Sequence, residues 1–304
     1  MSKSVSRPQR EDYGFFGPGS VTWRLWTYPT VVIAFQRGIA IETLDPNLTA
    51  AVVDMGGVYN NPKVRFDRTS RYFLTIILGD SVSAIRASET LKRVHTKSAG
   101  VEPISGRPYS ANDPESQLWI HMTAWHSVLK CYEQFGPGAL THEEEDRYWA
   151  ECAVAAELQT IDIAEVPRSR QAVRAYFARW KPKLALSDNG HNLFHYFLKP
   201  GLRLDALPLS ASFRAMSFAS VATMPRWIRR LAGVDQNWAM DAVATLVARR
   251  AVLALLPIDA RLAGLSQISP LSCPLLEDAL RGAPPKNPNT VTPKEARAQV
   301  LPAT

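Results

Sequence analysis

The sequence predicts an all-α protein built as a single large helical domain. Apolar residues recur at helical spacing along most of the chain, and Pro and Gly interrupt these segments. Almost no alternating apolar and polar run reaches the length of a strand. With 304 residues, 46% of them hydrophobic, the chain can bury a sizeable core. We expect one domain over residues 13–281 and a disordered tail over 282–304, where the sequence is polar and rich in proline.

Capping residues and helix breakers divide the domain into its elements. Pro29 kinks or ends the first helix. Gly79 ends the helix expected at 63–78, and Asp80 or Ser81 can cap the helix that follows. Asp113 caps a helix of about six turns. Helices are expected near 20–26, 48–53, 63–78, 81–95, 113–135, 141–159, 169–180, within 206–224, and at 238–256.

Two of these helices carry specific expectations. Thr141 and Glu144 form a capping box, which is the clearest start signal in the chain. The helix at 238–256 is apolar nearly all round, so we expect it to be buried. Residues 101–112 are expected to be a loop.

Charge and cysteine content restrict the class of protein. The formal net charge of +7 permits an anionic partner, but it does not choose among nucleic acid, a membrane surface and an acidic cofactor. Three scattered cysteines do not form a disulfide framework and fit a reducing compartment, so a cytoplasmic location is expected. No apolar run approaches the roughly 18 residues that a transmembrane helix needs.

Most local patterns have an ordinary structural explanation. The basic segment 168–183 resembles a nucleic-acid surface, but its aromatic residues fall at helical spacing, which favours a helix with arginines in water and no nucleic-acid partner. His191 and His195 are interpreted as a loop pair, since no third metal ligand is apparent. Phosphate-binding loops, nucleophile elbows and dinucleotide fingerprints are absent from the sequence.

One polar stripe lies on an otherwise apolar helix. Arg65, Arg68, Thr69 and Tyr72 are spaced i, i+3, i+4 and i+7, and His95 on the following helix could project toward the same interior. A pocket for haem or for an oxyanion is one interpretation of this arrangement. Ordinary buried hydrogen bonding is the other, and the spacing alone favours it.

Four strings in the same order resemble the rubber oxygenase and MpaB-type oxygenase catalytic domain family over residues 13–233. They are FFGPGSVTW (15–23), RFDRTSRYFLTIILGD (65–80), RVHTKSAG (93–100) and GRPYSANDPESQLWIHMT (106–123). The family's latex-clearing proteins are all-helical, bind haem b through one histidine, and cleave isoprenoid double bonds with dioxygen.

The resemblance implies roles for several residues. His95 looks like the proximal ligand of the haem iron, with His121 as the alternative ligand or a neighbouring group. Arg65 and Thr69 look like the family's distal arginine and threonine, the catalytic pair.

The sequence departs from the family at two points. Arg68 stands where the rubber oxygenases carry a lysine that can occupy the sixth iron position, and an arginine stays protonated and binds iron poorly. Glu42 is the nearest candidate for the family's distal glutamate base, but no neighbouring motif aligns it with that position. Cations for the haem propionates are sought in one group of arginines: Arg214, Arg226, Arg229 and Arg230.

These observations lead to an expected function. The resemblance implies a haem b-dependent oxygenase that acts with dioxygen on an apolar, isoprenoid-like or lipid-like small molecule, in a helical domain around a buried haem pocket. A haem-binding sensor or storage protein without oxygenase activity is one alternative. A helical interaction protein without a cofactor, in which these polar residues satisfy one another, is the other.

Overall fold

Helices make up almost all the regular structure, as the sequence predicts, so the protein is all-α. The computed structural model describes residues 9–199, 201 and 207–300. The first eight helices are α1 Val21–Trp26, α2 Val31–Glu42, α3 Pro46–Asp54, α4 Gly57–Asn60, α5 Pro62–Leu78, α6 Ser81–His95, α7 Pro114–Phe135 and α8 His142–Ala156. The remaining helices of the described part are α9 Arg170–Trp180, α10 Asp188–Leu198, α11 Leu207–Ala222, α12 Arg226–Leu231, α13 Trp238–Ala254, α14 Ile258–Ile268, α15 Cys273–Arg281 and α16 Pro293–Val300.

The predicted caps are present. The Asp113 carboxylate accepts a hydrogen bond from the backbone N–H of Ser116, and the Asp80 carboxylate accepts one from Ser83. The Thr141 and Glu144 capping box is formed in both directions. The first helix ends before Pro29 rather than continuing through it.

Segments 101–112 and 188–198 differ from the predicted loops. Two short antiparallel strands, β1 Ala99–Val101 and β2 Pro108–Ser110, form a hairpin. His191 and His195 lie on α10, not in a loop. Gly190 does not break this helix; it lies where a Cβ would come within 2.8 Å of the Thr43 carbonyl oxygen, so the glycine allows close approach to the neighbouring backbone.

The core forms around α2 and α7, which pack against each other along their length. Large aromatic side chains fill it. Trp26 of α1 and Trp125 of α7 are both almost completely buried, and their ring centroids are 5.7 Å apart.

The segment after Arg281 corrects the expectation of a disordered tail. The backbone N–H of Val291 donates to the Gly14 carbonyl and that of Tyr13 donates to the Asn289 carbonyl, so this polar segment finds its hydrogen-bond partners near the start of the chain. Helix α16 then packs on α6, where Ala296 is fully buried. Residues 301–304 lie outside the described part.

Helix α13 is not buried as predicted. Only Ala244, Ala248 and Val252 are buried in it, because α13 packs on α11 through one narrow stripe. Its opposite side faces solvent and carries large apolar side chains together with Arg249 and Arg250.

Helices α5 and α6 form an antiparallel hairpin. The turn is fixed by Gly79, where a Cβ would lie 2.5 Å from the Thr75 carbonyl oxygen. Gly14, with φ of +68°, packs against this turn, since its own Cβ would lie 2.4 Å from the Gly79 carbonyl oxygen. No helix in the described ranges is long and apolar enough to cross a bilayer.

Candidate functional site

A cavity of about 260 Å³ lies between α1, α2, α3, α5, α6 and α7. Its wall is mostly apolar, with Trp26, Phe35 and Phe73 among the aromatic side chains. The polar and charged residues on the wall are Glu42, Arg65, Arg68, Thr69, Tyr72, His95, Gln117 and Gln159. The predicted polar stripe of α5 and the histidine of α6 therefore share one cavity.

The α5–α6 hairpin brings Arg65 and His95 to this cavity. Each residue lies 15 positions from Asp80 at the turn, and residues equally distant from the turn of an antiparallel hairpin lie side by side. Leu91, one turn before His95, also lines the wall. Ser88, a further turn back, hydrogen-bonds the Leu158 carbonyl instead.

His95 is held as a neutral imidazole. Burial lowers its pKa below the ordinary 6.5, and the nearby positive charge of Arg65 lowers it further. The Gln117 side-chain amide lies 3.4 Å from Nδ1 of His95, and it also donates to the Ala111 carbonyl at 2.5 Å. A neutral imidazole is the form of histidine that binds metals.

Glu42 at the end of α2 lines the same cavity, which the sequence could not establish. Its side chain is half-buried, and burial raises its pKa from 4.5 to about 8. A carboxyl group with this pKa is largely protonated at neutral pH and can both donate and accept a proton there.

Three polar groups on the wall lack a hydrogen-bond partner of good geometry. The Arg65 guanidinium makes neither an ion pair nor a hydrogen bond to the described residues, and burial lowers its pKa. The Tyr72 hydroxyl and the Gln159 carbonyl oxygen are buried and interact with each other, outside good hydrogen-bond geometry. Of the three, the guanidinium is the group left available to a ligand in the cavity.

Arg68 differs from its neighbours on the stripe. It lines the cavity, yet its side chain is exposed, so it lies at the cavity mouth. It forms no ion pair with the described residues. Its position suits contact with an anionic group that projects toward solvent.

His121 lies outside the cavity wall. It is almost fully buried on α7, with Nε2 2.8 Å from the Cys152 carbonyl oxygen and 3.3 Å from its Sγ. Burial lowers the pKa of this imidazole to about 4. Both atoms belong to Cys152 of α8, so His121 links α7 to α8.

The arginines considered for propionates lie elsewhere. Arg226 and Arg230 are exposed on α12, and neither lines the cavity of His95. Arg229 is buried, and its Nη1 lies 3.0 and 2.8 Å from the two carboxylate oxygens of Asp241. Arg214, on α11, lines a separate cavity beside Gly233.

The described residues contain no group of three or more His, Cys, Asp or Glu side chains placed to hold a metal ion. At the cavity, His95 and Glu42 are the wall residues of these types.

Residues 23–255 match the family described as ER-bound oxygenase mpaB/B′/rubber oxygenase, catalytic domain. The chain belongs to this family. Helices α5 and α6, which carry Arg65 and His95, lie inside the matched range. No curated protein and no solved structure matches the chain.

Membership supports an oxygenase and confirms the resemblance found in the four sequence strings. Gln117 and Gln159 were missed by sequence reasoning. Gln117 stands in the matching string GRPYSANDPESQLWIHMT, but nothing in its spacing distinguishes it, and Gln159 follows α8 with no local signal.

Proposed function

We propose that this chain is a haem b-dependent oxygenase that acts with dioxygen on an apolar, isoprenoid-like or lipid-like substrate. The observation that carries the proposal is the shared cavity, in which a neutral His95 faces apolar walls together with the unpaired Arg65. Family membership supplies the oxygenase class.

The donor set fits a haem. One neutral imidazole is a sufficient protein ligand for haem iron, and His95 supplies it at the cavity wall. The macrocycle would lie against the apolar wall, and its propionates would meet Arg68 at the cavity mouth. A smaller cavity of about 120 Å³ shares Ile39, Arg65 and other wall residues with the first, so movement of the shared side chains would join the two.

Haem iron, when bound, would supply the activation of dioxygen. The chain's own residues supply the surroundings. Arg65 and Thr69 lie one helical turn apart on α5, so a guanidinium and a hydroxyl can donate hydrogen bonds to one small polar group in the cavity. Arg65 has no competing acid among the described residues, so its N–H groups are available.

Glu42 is the residue that can exchange a proton with the substrate. With a pKa of about 8, its carboxyl oxygen carries a proton at neutral pH and can accept one from substrate as pH rises. The apolar wall excludes water and would bind an alkene or acyl chain by burial.

A haem sensor or store is the second candidate, and Arg68 is the observation that favours it. Without the family's lysine, the chain lacks that internal sixth ligand, and an uncapped site also suits reversible binding of a diatomic gas. Glu42 at the cavity wall favours the oxygenase.

The test is haem content and turnover. The chain expressed with adequate haem should show a Soret band, which His95→Ala abolishes and the matched control His121→Ala retains. A colourless protein that fails haem titration would exclude both haem functions. If the ferrous protein binds dioxygen but consumes none with any apolar alkene, the haem sensor or storage function would be the one supported.

A further inference from the structure

The solvent-facing side of α11 and α13 exposes large apolar side chains. Of the eighteen such side chains that are exposed in the described part of the chain, ten lie between Leu207 and Leu253. We call the following set the α11–α13 face: Leu209, Phe218, Trp238, Met240, Val243, Leu246, Val247 and Leu253. Concentrated exposure of this kind marks a contact surface rather than scattered surface residues.

The arrangement on α13 is one-sided. Ala244, Ala248 and Val252 form the buried stripe, and the exposed apolar residues lie on the opposite side. Trp238 is 81% exposed and Val243 is 61% exposed. A surface helix normally presents polar residues to water, so this side needs an apolar environment.

The charges on the face are cationic. Arg250 lies within the exposed side, four residues after Leu246, and forms no ion pair with the described residues. The one carboxylate of α13, Asp241, is already held by Arg229. A second copy of this chain would bury Arg250 without an available acid from α13, which is costly, whereas lipid phosphates could pair with it.

A large apolar cavity opens on the same face. This cavity has a volume of about 550 Å³, and Arg261 is the only charged residue among the described residues on its wall. Leu209 and Val247 belong both to its wall and to the α11–α13 face, so the cavity reaches the surface there. Trp26 and Phe35 line this cavity on one side and the His95 cavity on the other.

We propose that the α11–α13 face docks peripherally on an anionic lipid bilayer, with Trp238 at the interface and Arg250 on lipid phosphates. The docked face places the mouth of the 550 Å³ cavity against the acyl region, so an apolar chain passes from lipid into protein without crossing water. The docking does not require haem, and its test is separate from that of the oxygenase.

The test is flotation of the full chain with vesicles. Phosphatidylcholine vesicles that contain phosphatidylglycerol should carry the protein to the top of a sucrose gradient. Val243→Glu with Leu246→Glu should weaken binding roughly tenfold or more, because two charges enter the interface. The matched control is Val101→Glu with Ile104→Glu on the β1–β2 hairpin, where the side chains are 63% and 66% exposed, and it should bind as the wild type does.

Charge and depth are tested separately. Arg250→Gln should weaken binding to the anionic vesicles roughly fivefold and leave the weaker binding to pure phosphatidylcholine unchanged. Brominated lipid should quench Trp emission in the wild type and less in Trp238→Phe. Since these side chains are exposed, circular dichroism should show unchanged folding.

Three results would overturn the proposal: no flotation of the wild type, equal loss in the hairpin control, or a dimer in sedimentation that Val243→Glu with Leu246→Glu dissociates. The last result would assign the face to a second copy of this chain.

Discussion

Arg65 and His95 face one cavity from the two arms of a hairpin, and the guanidinium adds to burial in keeping the imidazole uncharged. The lowered pKa of His95 has a direct consequence. Because the neutral form is favoured, the metal-binding form of His95 persists to lower pH than an ordinary histidine would allow.

Replacing Arg65 should change the His95 titration. In Arg65→Gln the pKa of His95 should rise toward 6.5, since the electrostatic contribution is lost and burial remains. The measurement is a pH titration of the His95 ring resonances in haem-free protein. Arg86→Gln changes an exposed residue on α6, the helix of His95, and should leave the His95 pKa as it is in the wild type. An equal rise in both variants would contradict a specific effect of Arg65 on His95.

Glu42 should make stability fall with rising pH. Its folded pKa of about 8 lies above the 4.5 of an ordinary carboxyl, so the folded state binds the proton more tightly. The stabilisation is complete below about pH 4.5 and is lost as pH rises to about 8, a loss on the order of a few kcal/mol. Denaturant unfolding across this range should show the slope, and Glu42→Gln should remove it.

The comparison for that experiment is Glu143→Gln, which removes an exposed carboxyl at the start of α8. It should keep the pH slope of the wild type. A slope that survives in Glu42→Gln would assign the proton to another group.

Arg68→Lys should restore an iron ligand at the cavity mouth. A lysine can lose its proton and bind iron, whereas the arginine cannot, so the haem-loaded variant should shift toward a low-spin spectrum at alkaline pH. Arg68→Met has similar length without a nitrogen and should keep the wild-type spin state. Identical spectra for Lys and Met variants would show that position 68 does not reach the iron.

The segment beyond Arg281 should contribute to stability. Ala296 is fully buried against α6, so Ala296→Asp should cost about 2–4 kcal/mol of unfolding free energy. Ala298→Asp changes an exposed position of the same helix and should alter stability by less than about 0.5 kcal/mol. Equal thermal unfolding of the two variants would contradict the packing of α16.

Arg229 and Arg230 are adjacent but should behave differently. Arg229→Ala removes the ion-pair partner of Asp241, which keeps only the Gln236 amide, and should cost about 3–5 kcal/mol, measured by denaturant unfolding. Arg230→Ala should be neutral for stability. The double variant Arg226→Ala with Arg230→Ala should also bind haem as the wild type does, because neither side chain lines the His95 cavity. Loss of haem from this variant would indicate that these arginines bind the haem propionates.

Local sequence rules predicted which residues of α5 and α6 share the cavity wall. Helical spacing placed Arg65, Arg68, Thr69 and Tyr72 on one stripe, and the glycine stop at residue 79 made the hairpin that returns His95 to it. Such rules act within one or two helices, where the backbone alone fixes which residues are neighbours.

The failures at α13, at Gly190 and over residues 282–300 involve partners that are distant in sequence. The burial of α13 depends on how many elements cover it, and periodicity states only which side could be buried. Gly190 looked like a loop residue because its reason, the approach of the Thr43 backbone, lies elsewhere in the chain. The polar segment 282–300 is ordered by backbone partners at residues 10–14.

That last pairing has a consequence for folding. Lys286 and Glu11 are 275 residues apart, and closing a loop of that length costs about 5 kcal/mol of chain entropy plus a constant. We therefore expect the two ends to meet after the helices between them have condensed. Gly14 packs on the Gly79 turn, so we expect the hairpin that presents Arg65 and His95 to be fixed late in folding.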